Sequence, residues 1–244
     1  MEFPTPLEPA LLLRRYKRFL ADIALPDGRE ITVHCPNPGA MTGLLSAGTR
    51  AWLSPSAKGA KLSHGWKLAE LESGAFVMID AALANRVVAE ALVERRVPGL
   101  PAYDVIRQEV ALDGDSRIDF RLDGPEGPVW MEVKSVTLAR GGRADFPDSR
   151  TLRGAKHLRA LAKVAEAGGQ AVMLYLLSRD DCDKVGIAGD IDPAYAAAFM
   201  AARAAGVRMI GLATRLSPQG IWATKVVPVH DPAWPERDLL NLHP

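Results

Sequence analysis

The spacing of apolar residues changes character at Ile79, and this divides the chain into two units that cannot share one architecture. Between Arg14 and about Glu72 the apolar runs are short and broken by turn chemistry: Leu25-Pro26-Asp27-Gly28, Cys35-Pro36-Asn37-Pro38-Gly39 and Ser54-Pro55-Ser56. That pattern predicts a small all-β unit over 1–79. Its strands run from Tyr16 to Leu25, Arg29 to His34, Arg50 to Leu53, Trp66 to Glu72 and Ala75 to Ile79, a set that suits a compact five-stranded barrel. After Ile79, Leu83, Val87, Val88, Ala91 and Leu92 recur at helical spacing, with Asp80 as the expected N-cap.

Strand-like runs follow at Val105 to Leu112, Ser116 to Leu122 (through the turn Asp113-Gly114-Asp115) and Val129 to Val136. Leu152 to Ala167 reads as a helix stopped by Gly168-Gly169, and Ala171 to Leu177 as a strand buried on both faces. Asp192-Pro193 opens a further helix, closed by Gly206, before two last strands. The expectation is an α/β unit over 80–229 with the order helix, three strands, helix, strand, helix, two strands. Residues 230–244, with three prolines, are expected to form a surface tail.

Composition narrows the function classes. With 244 residues, 48% hydrophobic and 24% charged, the chain can bury a sizeable core. From Met1 to Leu20 an acid and two prolines precede only a short apolar run, which fits neither a basic-led signal sequence nor a membrane span; a cytoplasmic protein with no membrane partner is expected. Two distant cysteines, Cys35 and Cys182, indicate neither a disulfide framework nor a thiolate zinc site. A formal charge of +1 means that any phosphate-binding surface must be local.

The chemistry concentrates in two strands. Alternation sends Ile118, Phe120 and Leu122 to one face and Asp119 to the other; in the next strand it sends Val129, Met131 and Val133 inward and leaves Glu132 and Lys134 together outside. If these strands are neighbours, the three charged groups converge. Two carboxylates about 4 Å apart repel by roughly 4 kcal/mol at an effective dielectric near 20, so a cation belongs between them. Lys134 supplies one charge, and Mg2+ or Mn2+ would complete the neutralisation, an arrangement suited to phosphodiester hydrolysis. Glu90, at the edge of the first helix's apolar stripe, is a further candidate ligand, although a helical Glu four residues after Arg86 also suits a surface ion pair. The competing reading of Asp119, Glu132 and Lys134 is a cross-strand salt bridge on a solvated face. An Asp followed by Glu-x-Lys, on the second and third strands after a helix, is the signature of the restriction-endonuclease-like fold.

The sequence also resembles the bacterial and archaeal sugar fermentation stimulation protein A family over nearly its whole length. The resemblance is carried by Arg15-Tyr16-Lys17-Arg18-Phe19-Leu20-Ala21-Asp22, by His34-Cys35-Pro36-Asn37 with Gly39 and Met41, by Ser116-Arg117-Ile118-Asp119-Phe120, by Glu132-Val133-Lys134-Ser135-Val136-Thr137-Leu138, and by Arg153-Gly154 with Lys156-His157-Leu158. It implies an N-terminal OB-fold-like barrel, a nuclease-like domain of the Asp and Glu-x-Lys class, and metal or catalytic roles for Asp119, Glu132, Lys134 and Glu90. The chain departs from the family pattern at Pro38 and Ala81, where hydroxyl residues are expected. The family name reflects a regulatory phenotype, so a non-catalytic DNA-binding regulator of sugar (maltose-type) metabolism genes is the alternative.

Basic residues supply candidate contacts to DNA, RNA or both, single strands included. Arg15, Tyr16, Lys17 and Arg18 mix charge with stacking surface, although Tyr16 equally suits a core; Trp52 and Trp66 fit either barrel interiors or a stacking platform; Arg117 lies beside Asp119; and Arg153, Lys156 and His157 follow the motif strand, with Gly141-Gly142 expected to leave the preceding loop mobile. The helix stripe is placed at Leu152, Ala155, Leu158, Ala162 and Ala165, leaving Arg153, Lys156 and Lys163 on the open face. Asp180, Asp181 and Asp183 read as a solvated charge run. The oligomeric state is open, a homodimer included.

Overall fold

The computed structural model describes residues 1–113 and 116–232; the Asp113-Gly114-Asp115 turn and the tail beyond 232 fall partly or wholly outside the described residues. The first unit contains β1 (Glu8–Tyr16), β2 (Leu20–Ala24), β3 (Glu30–His34), β4 (Arg50–Pro55), β5 (His64–Glu70) and β6 (Phe76–Met78). β2 pairs with β3 and β1, β1 with β4, and β4 with β5, while a parallel contact of His34 with Gly65 joins β3 to β5. Five strands therefore close into a barrel, with β6 appended to β5. Leu12, Ile23, Val33, Leu53 and Trp66 alternate inward along their strands and fill it.

The single strand expected from Tyr16 to Leu25 is instead the end of β1, a tight turn and β2. Lys17 and Arg18 make that turn with φ of 46° and 63°. Such turns usually carry Asn or Gly, and two long basic side chains conceal it.

The second unit comprises α1 (Leu83–Val93), β7 (Val105–Asp113), β8 (Ser116–Asp123), β9 (Val129–Val136), β10 (Leu138–Arg140), β11 (Arg143–Phe146), α2 (Leu152–Glu166), β12 (Gln170–Leu177), β13 (Val185–Ile187), α3 (Pro193–Ala204), β14 (Arg208–Ser217) and β15 (Gly220–Val227). Its mixed six-stranded sheet has the order β15-β14-β12-β9-β8-β7, with β9, β12 and β14 parallel. α1 packs on one face over Phe120, Met131 and Leu174, and α2 and α3 cover the other over Val136, Met173 and Tyr175. The helix boundaries follow their signals: Thr151 accepts from Gly154 N–H to cap α2, and Asp192 caps α3 with Pro193 behind it.

Three expectations are corrected. Asp80 does not cap α1, whose N-cap is Ala82 without a side-chain bond; Asp80 instead accepts from Ala82 N–H and pairs with Lys67 at 2.5 Å. Gly141-Gly142 is no mobile loop but the tight turn between β10 and β11, with φ of 56° and 77°. β10, β11 and β13 form a small second sheet of three- and four-residue strands, too short to show a period.

The two units share a core. Leu68 and Met78 of the barrel join the cluster around α1, with Trp52 and Phe76 packed against it. The backbone joins them too: Met78 N–H donates to Ser178 at 2.7 Å, and Asp180 Oδ1 accepts from Phe76 N–H at 2.8 Å. Beside this seam Arg179, 4% exposed, is held by both carboxylate oxygens of Asp181 and donates to the Thr137 carbonyl. Asp180, Asp181 and Asp183 are exposed, as expected of a solvated charge run, yet Asp180 and Asp181 also serve the seam through Phe76 and Arg179.

Candidate functional site

β8 and β9 are hydrogen-bonded neighbours only from Phe120↔Met131 to Leu122↔Val129. Towards Asp119 they part. On the other side of β8, β7 kinks at Glu109, whose φ is 53°, opposite Asp119. Arg117 donates twice to the Glu109 carbonyl there, at 2.8 and 3.2 Å, and so secures the kink; it remains exposed. Ile118, beyond the parting, packs with the α2 and α3 side, away from the face of Phe120 and Leu122. The alternation expected for β8 holds in burial, with Ile118, Phe120 and Leu122 all buried, but Ile118 joins a different cluster from the other two.

The gap between the strands is bridged by side chains. Asp119 Oδ2 accepts from Val133 N–H at 2.7 Å, and Glu132 Oε2 accepts from Asp119 N–H at 3.4 Å. Backbone donors that have lost their ladder partners are satisfied by the carboxylates. Asn85 of α1 donates to Asp119 Oδ1 at 2.8 Å. Lys134 Nζ lies 2.6 Å from Glu132 Oε1, and His157 Nδ1 of α2 meets the same oxygen. Asp119, Glu132 and Lys134 therefore converge, and the solvated sheet face of the salt-bridge reading is excluded: Glu132 is 2% exposed.

The two carboxyls are not equivalent. Burial, and then the charge of Glu132, push the Asp119 carboxyl above the ordinary aspartate range, against the bonds from Val133 and Asn85. Burial is also the largest influence on Glu132 and pushes it up, yet the His157 bond and the Lys134 charge outweigh it and hold the carboxyl below its ordinary value. Lys134 is thus committed to Glu132, while Asp119 carries the uncompensated charge.

Glu90 is not part of this cluster. It lies about 140° around α1 from Asn85 at 100° per residue, where it takes the Met1 ammonium at 2.7 Å and Arg96 at 3.4 Å. The α1 residue that reaches the site is Asn85; a polar residue one turn into an apolar helix was the available signal. His157 is likewise not on the basic open face. It is 5% exposed because the buried stripe of α2 runs through Gly154, Ala155, His157, Leu158 and Leu161, whereas Leu152 is 85% exposed. Centring the helix on Leu158 and Leu161 places His157 inward. Among the described residues no group of three His, Cys, Asp or Glu side chains gathers as a metal cage.

The cluster lies in a cleft of about 1000 Å3 walled by both units. Its positive lining is Arg15, Arg18, Lys134, Arg150 and Arg153. Arg15 donates to the carbonyls of Asn37 and Gly39 at 2.7 and 3.0 Å and so shapes the barrel loop. Tyr16 hydrogen-bonds Asp22 under the Arg14 guanidinium, and Lys17 and Arg18 project from the β1–β2 turn. Arg153, Lys156 and Lys163 are exposed along α2. Of the two alternatives for the tryptophans, Trp66 takes the barrel interior, while Trp52 is half-buried against Phe76. Cys35 and Cys182 are buried free thiols. No helix among the described residues is long and apolar enough to cross a membrane.

Comparison with known proteins gives concordant matches. Residues 82–220 match the family described as "Sugar fermentation stimulation protein RE domain", and residues 13–79 match "SfsA N-terminal OB domain". The chain is 53% identical to the sugar fermentation stimulation protein homolog of Ruegeria pomeroyi over 224 residues, 91% of this chain and 97% of that one. It is 53% identical to the homolog of Jannaschia sp. over 242 residues, 98% and 100% of the two chains. A solved structure, that of Pyrococcus furiosus SfsA in complex with Ca2+, superposes with a TM-score of 0.86 at 26% identity, covering 94% of this chain and 98% of the other.

Proposed function

This chain belongs to the sugar fermentation stimulation protein family, and we propose that its second unit is a restriction-endonuclease-like domain that hydrolyses phosphodiester bonds of nucleic acid with a divalent metal ion. The observation that carries this reading is the parting of β8 from β9, which brings Asp119, Glu132 and Lys134 together in a cleft edged by arginines. A salt bridge alone would not require a cleft, nor leave a second, uncompensated carboxylate beside the first.

The residues fit a hard cation such as Mg2+ or Mn2+. Two carboxylates suffice for an ion that keeps most of its waters, and the raised Asp119 carboxyl marks a place where positive charge is lacking. Asp119 and Glu132 would hold it, without Glu90. The Pyrococcus furiosus relative, solved with Ca2+, supports a divalent cation in this family. When bound, the ion neutralises phosphate charge and makes water more acidic. Asn85 fixes the rotamer of Asp119, and His157 fixes that of Glu132. The Lys134 ammonium orients water or offsets charge as the phosphorus centre is attacked. Arg18, Arg150 and Arg153 meet flanking phosphates, with Lys156 further along α2.

End-labelled DNA and RNA oligonucleotides incubated with the protein should be cut with Mg2+ or Mn2+ and left whole with EDTA. Failure of both metals on both polymers, with salt-sensitive binding retained, would overturn the nuclease and favour the regulator. Binding should weaken steeply with salt as counterions are released. Replacing Arg153 and Lys156 together by Ala should flatten the slope of log affinity against log salt by about 2, one for each phosphate contact. A slope unchanged in a folded variant would remove α2 from the interface.

A further inference from the structure

The cleft has a strap across it. The barrel loop Asn37 to Met41 is anchored at one end by Asn37, 6% exposed, whose Nδ2 donates to the Ile79 carbonyl at 3.0 Å. At the other end the Met41 side chain is 1% exposed in the barrel core. Arg15 holds the loop from below through two carbonyls. From this loop the Met41 N–H reaches across to Asp148 Oδ2 at 3.0 Å, on the segment between β11 and α2. The approach is so close that a Cβ on Gly39 would lie 2.3 Å from the Asp148 carboxylate. The barrel wall and the α2 wall are therefore tied together at the mouth of the site.

We propose that this strapped cleft admits an unpaired nucleic-acid strand and excludes the duplex, an inference that rests on the nuclease reading of the same site. A duplex brings two paired strands at once, and the second would have to fit between the barrel wall and the α2 wall, which the Met41–Asp148 bond holds together. A duplex reaches Asp119 and Glu132 only if the strap lets go. A single strand needs no such opening, and the lining suits it. Exposed Pro38 on the strap and half-buried Phe146 on the opposite segment offer apolar surface to bases, and Arg18 and Arg150 offer charge to phosphates. Phe146 is a fixed platform, its ring packed edge-on against Tyr195 at 5.0 Å and tilted against Tyr175 at 6.0 Å.

The test uses the full chain and one labelled DNA oligonucleotide in three forms: single-stranded, annealed to its full complement, and annealed to a shorter complement that leaves an overhang. Fluorescence anisotropy in EDTA measures binding, and cut positions are mapped with Mg2+. The single strand should bind at least about tenfold more tightly than the blunt duplex, the worth of one stacked base, and cuts should be confined to the overhang in the partial duplex. D148A, which unties the strap, should lower this selectivity, and D148N, which keeps an acceptor, should retain it. Equal binding of the two forms, cuts within paired segments, or a selectivity unmoved in folded D148A would overturn the proposal. If Mg2+ supports no cutting, the nuclease reading fails separately, and the anisotropy comparison still decides for or against strand selection.

Discussion

Asp119→Asn and Glu132→Gln should each reduce metal-dependent cleavage by at least about a hundredfold, yet shift the stability of the metal-free protein in opposite directions. The Asp119 carboxyl is raised by burial and by Glu132, so its ionised form is a burden on the folded state at neutral pH. Asn removes the charge and keeps the shape. Its oxygen can accept from Val133 N–H while its amide donates to Asn85, whose own amide rotates to accept, so the melting temperature should hold or rise. Glu132 is the reverse case, held below its ordinary value of 4.5 by His157 and Lys134 against its burial. Gln leaves that buried ammonium and imidazole facing a neutral group, at a cost of about 2 kcal/mol or more. The pH dependence carries the same signs. The Glu132 contribution is present above the ordinary glutamate range and lost as pH falls through its depressed folded value; the Asp119 burden is present at neutral pH and relieved as pH falls through its raised one. Stability curves for the two variants should lie on either side of the parent at neutral pH and converge on it in acid. Magnesium should raise the melting temperature of the parent and of neither variant. Two variants weakened alike, with a parent indifferent to magnesium, would leave only an ion pair.

Asp181→Ala should be a damaging change outside the site, costing about 1.5 to 3 kcal/mol, because it takes the charge-assisted bonds from a buried guanidinium whose partner is itself exposed to solvent. In a chain of this length that is a fall of roughly 3 to 12 °C in melting temperature. Arg179 would lose both carboxylate oxygens and keep the Thr137 carbonyl, next to the seam where Val77 pairs with its backbone and Met78 bonds Ser178. Because the barrel and the α/β unit share Leu68 and Met78 in one cluster, the loss should appear as a single transition and not as the melting of one unit. Replacing Arg179 and Asp181 together by Met and Leu should recover most of the loss. A folded Asp181→Ala protein that melts with the parent would show that the Arg179–Asp181 pair does not hold the seam.

What could be read from the sequence was whatever repeats. The strands that carry the carboxylates, the helices α2 and α3, and most of the turns of the barrel carry a period or a punctuation residue. What could not be read depends on one residue meeting another across space. The turn at Lys17-Arg18 has no Gly or Asn to mark it. Asn85 and Glu90 are equally polar on one helix, and only the position of Asp119 chooses between them. His157 was grouped with Arg153 and Lys156 by charge, although the helix turns it inward to Glu132. The acids at 180 and 181 are solvated as expected, but nothing in the sequence marked Arg179, their neighbour, as buried against Asp181.

The parting of β8 and β9 has a further consequence for how such a chain can change. The amides of Asp119 and Val133 are answered by acids where an unbroken sheet would use carbonyls, so the same oxygens that suit a metal also finish the folding of the sheet. A descendant that abandoned cleavage would still require acceptors at 119 and 132, and a carboxylate already in place meets that requirement. Persistence of the acidic pair is therefore no proof of an active enzyme; the arginine-lined cleft and its strap, which the sheet does not require, are the parts that inactivity would leave free to vary.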